Sequence, residues 1–70
     1  MKQKISLNLR RLKGLRVEKN LSQEEMANLI GMSPSSYQRK ESGVNQFLLL
    51  EAHAISLVLN KEIKDIFFTN

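Results

Sequence analysis

The chain has 70 residues, with 11 Lys and Arg against 7 Asp and Glu, and a formal net charge of +4. Its 41% apolar and 26% charged residues are typical of one small globular domain, spanning residues 1–70, rather than of a disordered tail. The absence of cysteine excludes disulfides, thiolate metal sites and a cysteine nucleophile.

Several functional classes are disfavoured by what the sequence lacks. A single His and a single Asp leave little material for a hydrolytic centre or a metal cluster. We therefore expect a protein that is not an enzyme and needs neither a cofactor nor a metal. No apolar run approaches the length of a membrane span, and the basic start lacks the apolar segment of a signal peptide, so a cytoplasmic location is expected.

The basic residues are concentrated in the first third of the chain. Residues 1–20 contain seven basic side chains against Glu18, a net charge of +6, whereas residues 21–45 and 46–70 each carry −1. The seven are Lys2, Lys4, Arg10, Arg11, Lys13, Arg16 and Lys19. This asymmetry indicates contact with a polyanion, although a solvated helix face would have the same composition.

The first predicted helix runs from about Leu7 to Glu18, and Asn20 is suited to the left-handed residue that ends a helix. Leucines recur every three residues, as expected for one buried face of a helix. That face is expected to comprise Ile5, Leu9, Leu12, Leu15 and Arg16.

The second predicted helix has a clear start signal. Ser22 and Glu25 have the spacing of a capping box, in which each side chain binds the backbone N–H of the other residue. Gly31 ends this helix after about two turns. Its buried side is expected to comprise Met26, Ala27, Leu29 and Ile30.

Three further helices are predicted in the second half. Ser33 and Pro34 are suited to the N-cap and first position of a helix that runs to about Ser42 and is terminated by Gly43. The fourth helix, from Phe47 or Leu48 to Leu59, is apolar on nearly every side, and a short fifth helix covers about Ile63 to Phe67.

The second and third predicted helices have the spacing of a helix-turn-helix. They are short, and they are joined by a three-residue turn in which Gly31 can adopt a positive φ. Ala27 is small where the two helices must cross closely, and Met26, Ile30 and Met32 supply apolar contacts inside the turn. In such motifs the second helix enters the major groove of DNA.

The segment from Leu21 to Ser33, together with Tyr37 to Gly43, resembles the Xre family, the Cro and phage-repressor type of DNA-binding protein. The resemblance implies an all-α, compact five-helix bundle of the lambda-repressor type, with the helix-turn-helix at residues 22–42. It also implies binding of operator DNA as a symmetric homodimer. Tyr37 and Lys40 depart from the pattern, since the family usually has apolar residues there. We expect a buried Tyr37 ring and a Lys40 ammonium that reaches solvent.

The resemblance also implies which residues of the third helix read bases. Pro34, Ser35 and Arg39 match the family's base-reading positions, and Ser36 and Gln38 flank them. Arg39 can bind guanine O6 and N7, Ser35 can bind any base edge, and Pro34 can pack on a thymine methyl group. The alternative for Arg39 is a contact with phosphate or solvent alone.

Contacts with the DNA backbone are expected around this helix. The family uses the residue equivalent to Gln23 for a phosphate, although Gln23 can also act as a cap or be solvated. Weaker candidates follow the third helix, namely Ser42, Asn45 and Gln46. Basic candidates lie on the first helix, namely Arg10, Arg11 and Lys13, and these are equally suited to contact with solvent.

Arg16 and Glu41 match a pair that ties the first helix to the end of the third in the family. A half-buried pair with two parallel hydrogen bonds would orient the third helix. The alternative is two exposed charges that contribute less than about 1 kcal/mol.

The fourth helix has two apolar faces. One face matches the family's core, namely Leu49, Ala52, Ile55, Ser56 and Leu59. The second face has no evident cover in a small monomer, and we expect it to form a dimer interface. It comprises Phe47, Leu50, Ala54, Leu57 and Val58. Alternatively, the fifth helix and Ile66 to Phe68 cover it. His53 is expected to be structural or at an interface rather than a ligand.

Two functions remain open from the sequence. The first is a homodimeric regulator of transcription, a repressor or controller, that binds pseudo-palindromic double-stranded DNA. The second is a protein-interaction module, such as an antitoxin or anti-regulator, that uses the apolar face of the fourth helix. The basic first third favours DNA, whereas the second apolar face is compatible with both.

Overall fold

The computed structural model describes residues 7–68, and these form five α-helices without a β-strand. The helices are α1 (Leu9–Glu18), α2 (Gln23–Leu29), α3 (Pro34–Glu41), α4 (Leu49–Leu59) and α5 (Ile63–Phe67). The predicted five-helix, all-α fold is confirmed. The expected contributions of Lys2, Lys4 and Ile5 lie outside the described residues. None of the helices in residues 7–68 is long and apolar enough to cross a membrane.

Local signals set the helix boundaries. The predicted capping box of α2 is present, with Glu25 N–H bound to Ser22 Oγ at 3.0 Å and Ser22 N–H bound to Glu25 Oε1 at 2.8 Å. Helix α1 begins at Leu9 rather than Leu7, because Asn8 is its N-cap and accepts a hydrogen bond from the N–H of Arg11.

The turns between helices use residues with positive φ, as predicted. Asn20 adopts φ +60° after α1, Gly31 adopts φ +76° between α2 and α3, and Gly43 adopts φ +90° after α3. The left-handed conformation at Asn60 after α4 (φ +55°) was not predicted. These turns place α2 and α3 against each other as a helix-turn-helix.

The core lies between all five helices. Helix α5 packs on α1 and α4, and α3 packs on α2 and α1. Two hydrogen bonds tie the start of α1 to α5, from Asn8 N–H to the Phe67 carbonyl (2.7 Å) and from Arg11 Nε to the Asp65 carbonyl (2.6 Å). The largest fully buried side chains are Leu12, Met26, Tyr37, Ile55, Ile66 and Phe67.

Two predicted core positions are wrong. Leu49 is 75% exposed, whereas Phe47 in the preceding loop packs against the core, between the rings of Tyr37 and Phe67, with both centroid distances 5.8 Å. Leu29 is also exposed, since the short helix α2 buries Met26 and Ala27 instead.

Candidate nucleic-acid interface

Helix α3 separates a buried side from an exposed side. Tyr37 and Glu41 are buried one turn apart. The opposite side is exposed and contains Pro34, Ser35, Gln38, Arg39 and Ser42. Within residues 7–68, no hydrogen bond or ion pair engages the side chains of Ser35, Gln38 or Arg39. Their polar groups are therefore available to an external ligand.

Ser36 differs from the other predicted base-reading residues. Its side chain is half-buried, and its N–H donates to Oγ of Ser33, the N-cap of α3. We therefore separate Ser36 from the exposed set and define the outer face of α3 as the four remaining predicted base-reading residues, Pro34, Ser35, Gln38 and Arg39.

The backbone of Arg39 is fixed at the end of α3. Its carbonyl accepts hydrogen bonds from the Ser42 hydroxyl (3.0 Å), from Val44 N–H (2.9 Å) and from Asn45 N–H (3.2 Å). These bonds hold the following loop against the last turn. Ser42, Asn45 and Gln46 are all exposed there, beside the outer face of α3 in sequence.

Glu41 is the centre of a buried hydrogen-bond network that holds α3 from behind. Arg16 donates from Nε to Glu41 Oε2 (2.9 Å) and from a terminal guanidinium nitrogen to Oε1 (3.0 Å). The Arg16 and Glu41 side chains are only 7% and 3% exposed. Arg16 also donates to the carbonyl of Leu21 at 2.5 Å, so one side chain joins α1, the start of α2 and the end of α3.

Tyr37 and Gln23 complete this network. The Tyr37 hydroxyl donates to Glu41 Oε2 at 2.5 Å, and Gln23 Nε2 donates to Glu41 Oε1 at 3.0 Å. Every buried side-chain polar atom in residues 7–68 has a partner. The carboxylate is thus surrounded by four donors, as a buried charge requires.

The network changes the ionisation of its members. Burial, the largest influence, opposes the charge of Glu41, but the hydrogen bonds from Arg16, Tyr37 and Gln23 outweigh it and lower the pKa of Glu41. The hydrogen bond with Glu41 raises the pKa of Arg16. Burial, together with the bond to the carboxylate, raises the pKa of Tyr37 far above its ordinary value. Glu41 and Arg16 are therefore charged and Tyr37 is neutral near pH 7.

The basic residues of α1 divide into two groups. Arg10 and Lys13 are exposed, and no bond engages their side chains within residues 7–68. Arg11 is half-buried and binds the carbonyl of Asp65 through Nε. Arg11 therefore has an intramolecular role in addition to its predicted one.

Lys40 does not reach solvent as expected. Its ammonium contacts both oxygens of Glu51, at 2.6 and 2.8 Å, and the two side chains are 15% and 18% exposed. Glu51 Oε1 also accepts the N–H of Leu48 at the start of α4 (2.8 Å). Burial, the largest influence, opposes the charge of Glu51, but the bonds from Lys40 and Leu48 outweigh it and lower the pKa of Glu51.

The predicted dimer face of α4 needs correction. Phe47 and Val58 pack against the core, and Ala54 is half-buried. Leu50 and Leu57 are 80% and 68% exposed, as expected for an uncovered face. Leu49 and His53 are also exposed on this side. We therefore define the outer face of α4 as Leu49, Leu50, His53 and Leu57. Helix α5 does not cover it.

No metal centre is formed by the described part of the chain. Residues 7–68 contain no group of three or more His, Cys, Asp or Glu side chains arranged to hold a metal ion. His53 lies on the outer face of α4, where its carbonyl accepts the Ser56 hydroxyl at 2.5 Å.

Several contacts of these residues are not predicted from the sequence, among them the bonds from Gln23 to Glu41 and from Arg11 to the Asp65 carbonyl. No partner for the Tyr37 hydroxyl is predicted from the sequence, although Tyr37 and Glu41 are four residues apart and therefore lie on one side of a helix. The Lys40–Glu51 pair connects two helices that are separated by a loop, so no rule on residue spacing within one helix predicts it.

Comparisons with known proteins agree with this geometry. The sequence model of a family described as Helix-turn-helix (HTH_3) matches residues 12–66. A solved structure, that of the restriction-modification controller protein C.AhdI from Aeromonas hydrophila, superposes with a TM-score of 0.77. It is 32% identical in sequence, and the match covers 84% of this chain and 89% of that chain. The comparison with curated proteins gave no match.

Proposed function

The chain belongs to the Xre-type helix-turn-helix family, whose members are DNA-binding regulators and not enzymes, and from this we propose that it is a homodimeric, sequence-specific regulator of transcription. Its ligand is double-stranded operator DNA with a pseudo-palindromic sequence. It acts as a repressor or controller, and the similar protein from Aeromonas hydrophila is a restriction-modification controller protein.

The observation that carries this proposal is the division of α3. Its outer face is exposed and has free polar groups, whereas its inner face is fixed by the network around Glu41. A recognition helix needs this combination, because base edges are read only when the helix is held at a defined orientation in the major groove.

We assign the base contacts to the outer face of α3. Arg39 binds guanine O6 and N7 through its guanidinium fork, Ser35 binds a base edge near the start of the helix, and Gln38 is suited to adenine N6 and N7. Pro34 packs on a thymine methyl group. The bonds that fix the Arg39 carbonyl support this role, since they hold the base of its long side chain.

We assign the phosphate contacts to the groups beside this face. Arg10, Lys13, Ser42, Asn45 and Gln46 are exposed and available for them. Gln23 keeps one amide hydrogen and its carbonyl oxygen when Nε2 binds Glu41, so it binds a phosphate while it remains in the network. Such contacts fix position on the duplex without reading sequence.

We place the dimer contact on the outer face of α4. Three leucines of this face are between 68% and 80% exposed, a large apolar exposure for one short helix. A two-fold axis through the face would bury each leucine against the partner and present two copies of α3 to successive major grooves.

The salt dependence of binding tests this function. Binding sites are selected from random duplex, and the affinity for the selected site is measured from about 50 to 200 mM salt. Each neutralised phosphate contributes about −0.9 to the slope of log K against log salt concentration, so four to eight contacts give a slope of about −4 to −7.

Matched variants identify the charged side chains that cause the salt dependence of binding. Lys13→Gln should reduce the magnitude of the slope by about 1 per chain. Lys61→Gln, at an exposed lysine after α4 that has no assigned contact, should leave the slope unchanged. A slope near zero for the unmodified protein would remove DNA as its partner.

A second function is favoured by one observation, the same apolar outer face of α4. A protein-interaction module, such as an antitoxin, would cover this face with a different protein instead of a second copy of the chain. The mass of the isolated protein and of its mixture with duplex separates the two. A monomer that does not bind duplex DNA supports the interaction module, whereas a dimer that binds one duplex supports the regulator.

A further inference from the structure

We propose that Lys40 and Glu51 are a positioning pair, which fixes the orientation of α3 relative to α4 and thereby selects the half-site spacing that the dimer accepts. The spacing part of this inference rests on the proposed function. The pair is separate from the residues assigned to bases, phosphates and the dimer contact.

The pair is a short link whose carboxylate is held in place. The Lys40 ammonium contacts both oxygens of Glu51, at 2.6 and 2.8 Å, and this carboxylate is held in turn by the N–H of Leu48. Glu51 lies in the first turn of α4, and Lys40 lies in the last turn of α3. With both side chains less than one-fifth exposed, the pair is partly protected from screening by salt.

Consecutive residues of α3 are therefore attached to different parts of the protein. Glu41 binds Arg16 of α1 and Gln23 of α2, whereas Lys40 binds Glu51 of α4. Arg39, which we assign to a base, immediately precedes them. The last turn of the recognition helix is thus fixed from two sides, and the Lys40 side connects it to α4.

The other links between α3 and α4 are less directional. Among residues 7–68, Lys40–Glu51 is the only ion pair between these helices. The other links that the described residues show are the intervening loop, the shared apolar core, and the tilted ring contact of Tyr37 with Phe47 of that loop, at a centroid distance of 5.8 Å. Apolar contacts are non-directional, whereas the ammonium and the carboxylate keep both hydrogen bonds only while the two helix ends stay close together.

Operator spacing is sensitive to this orientation. Adding one base pair between half-sites moves them apart by about 3.4 Å and rotates them by about 34°. A dimer whose recognition helices are rigidly attached to α4 must deform the DNA to bind the altered site. A dimer whose recognition helices can rotate adapts at a lower cost.

The test uses four variants of the full chain. Lys40→Met keeps the apolar stem and removes the charge, and Glu51→Gln keeps an oxygen for the Leu48 N–H. Lys40→Arg is the rescue variant, because its guanidinium can bind both Glu51 oxygens. Lys64→Met is the matched control, since Lys64 and Glu62 are 3.9 Å apart and mostly exposed.

Affinities are measured on operators with the selected spacing and with one base pair more or less. We expect Lys40→Met and Glu51→Gln to keep the half-site sequence but to reduce the spacing preference by about three- to tenfold, the scale of one ordinary hydrogen bond. Lys40→Arg and Lys64→Met should retain the preference. Equal loss of affinity at every spacing would overturn the inference, because a merely structural role acts on all operators alike.

A second measurement needs no DNA. Residual dipolar couplings of the backbone amides report the relative orientation of α3 and α4 in solution. In the unmodified protein a single alignment tensor should fit the couplings of both helices. In Lys40→Met, α3 and α4 should each need an alignment tensor of their own. A single alignment in both proteins would overturn the orienting role. If the unmodified protein binds no duplex, the proposed function and the spacing role fail together, and this measurement alone decides whether the pair orients α3.

Discussion

Tyr37 lies one turn before Glu41 on α3, and its hydroxyl donates a 2.5 Å hydrogen bond to Glu41 Oε2. Arg16 and Gln23 donate to the same carboxylate, so a single acidic side chain joins three helices. The outer face of α3 lies opposite this network. The orientation of the outer face of α3 is therefore held in part by a network to which the Arg39 side chain does not contribute.

The first prediction tests the Tyr37 hydroxyl. Tyr37→Phe keeps the buried ring but removes one donor from Glu41, which retains Arg16 and Gln23. We expect a loss of about 1–2 kcal/mol in the free energy of unfolding, because the lost bond is to a charged acceptor. Urea unfolding measures this loss. Gln38→Ala, on the exposed side of the same helix, is the control and should change stability little; an equal loss there would contradict the role of the hydroxyl.

The second prediction concerns acid. The folded protein holds the pKa of Glu41 and of Glu51 below the ordinary value of 4.5, so the unfolded chain binds more protons than the folded chain in this range. The stabilisation from both carboxylates is complete above about pH 5 and decreases as pH falls through 4.5 towards their lowered pKa values.

Urea unfolding at a series of pH values between 7 and 3 measures this dependence. In Glu51→Gln the contribution of that carboxylate is absent, so the decrease below pH 4.5 should be smaller than in the unmodified protein. Gln38→Ala, which removes no titratable group, should reproduce the unmodified profile. A stability that is constant down to pH 3 would contradict the lowered pKa values.

The third prediction separates base from phosphate contacts. If Arg39 reads a guanine, Arg39→Ala should cost about 1–3 kcal/mol on the selected site and relax the preference at one base pair per half-site. Gln23→Ala should weaken binding to all sequences by a similar factor, because a phosphate contact carries no sequence information.

Selection from random duplex, carried out on the unmodified protein and on both variants, gives the comparison. An unchanged site preference with uniformly lower affinity for Arg39→Ala would reduce Arg39 to a backbone contact. Because Gln23 also binds Glu41, unfolding of the Gln23→Ala protein is measured alongside, so that loss of folded protein is not read as loss of a phosphate contact.

The fourth prediction tests the dimer surface. Leu57→Glu places a charge on the outer face of α4, where across a two-fold axis it would meet its own copy, at a cost of several kcal/mol (about 2–7) for a buried unpaired group. The monomer should stay helical, since Leu57 is 68% exposed. Sedimentation measures the mass, and Val17→Glu, at an exposed apolar residue of α1, is the control. A Leu57→Glu dimer would place the interface elsewhere.

Much of this architecture was predictable, because its signals are local. Ser22 with Glu25, Ser33 with Pro34, and Asn20, Gly31 and Gly43 each mark a helix end through short-range hydrogen bonds or backbone conformation. These signals depend on neighbours within four residues, so they can be recognised in the sequence without the tertiary structure.

The errors concern residues whose burial depends on non-local packing. Leu49 has the helical spacing of a core residue but is exposed, and the ring of Phe47 packs against the core from the preceding loop. Helical periodicity describes only residues inside the helix, so it cannot rank a loop residue against them. Lys40 was misplaced for a related reason, because its partner Glu51 is eleven residues away.

The division of α3 also has a consequence for engineering. Ser35, Gln38 and Arg39 can be randomised together without removing a bond that the described residues make, since their side chains take part in none. Under the proposed function, stability and operator choice are therefore encoded on opposite sides of one eight-residue helix. A library at these three positions should yield folded proteins with new operator preferences, and orthogonal regulators could be obtained from one unchanged scaffold.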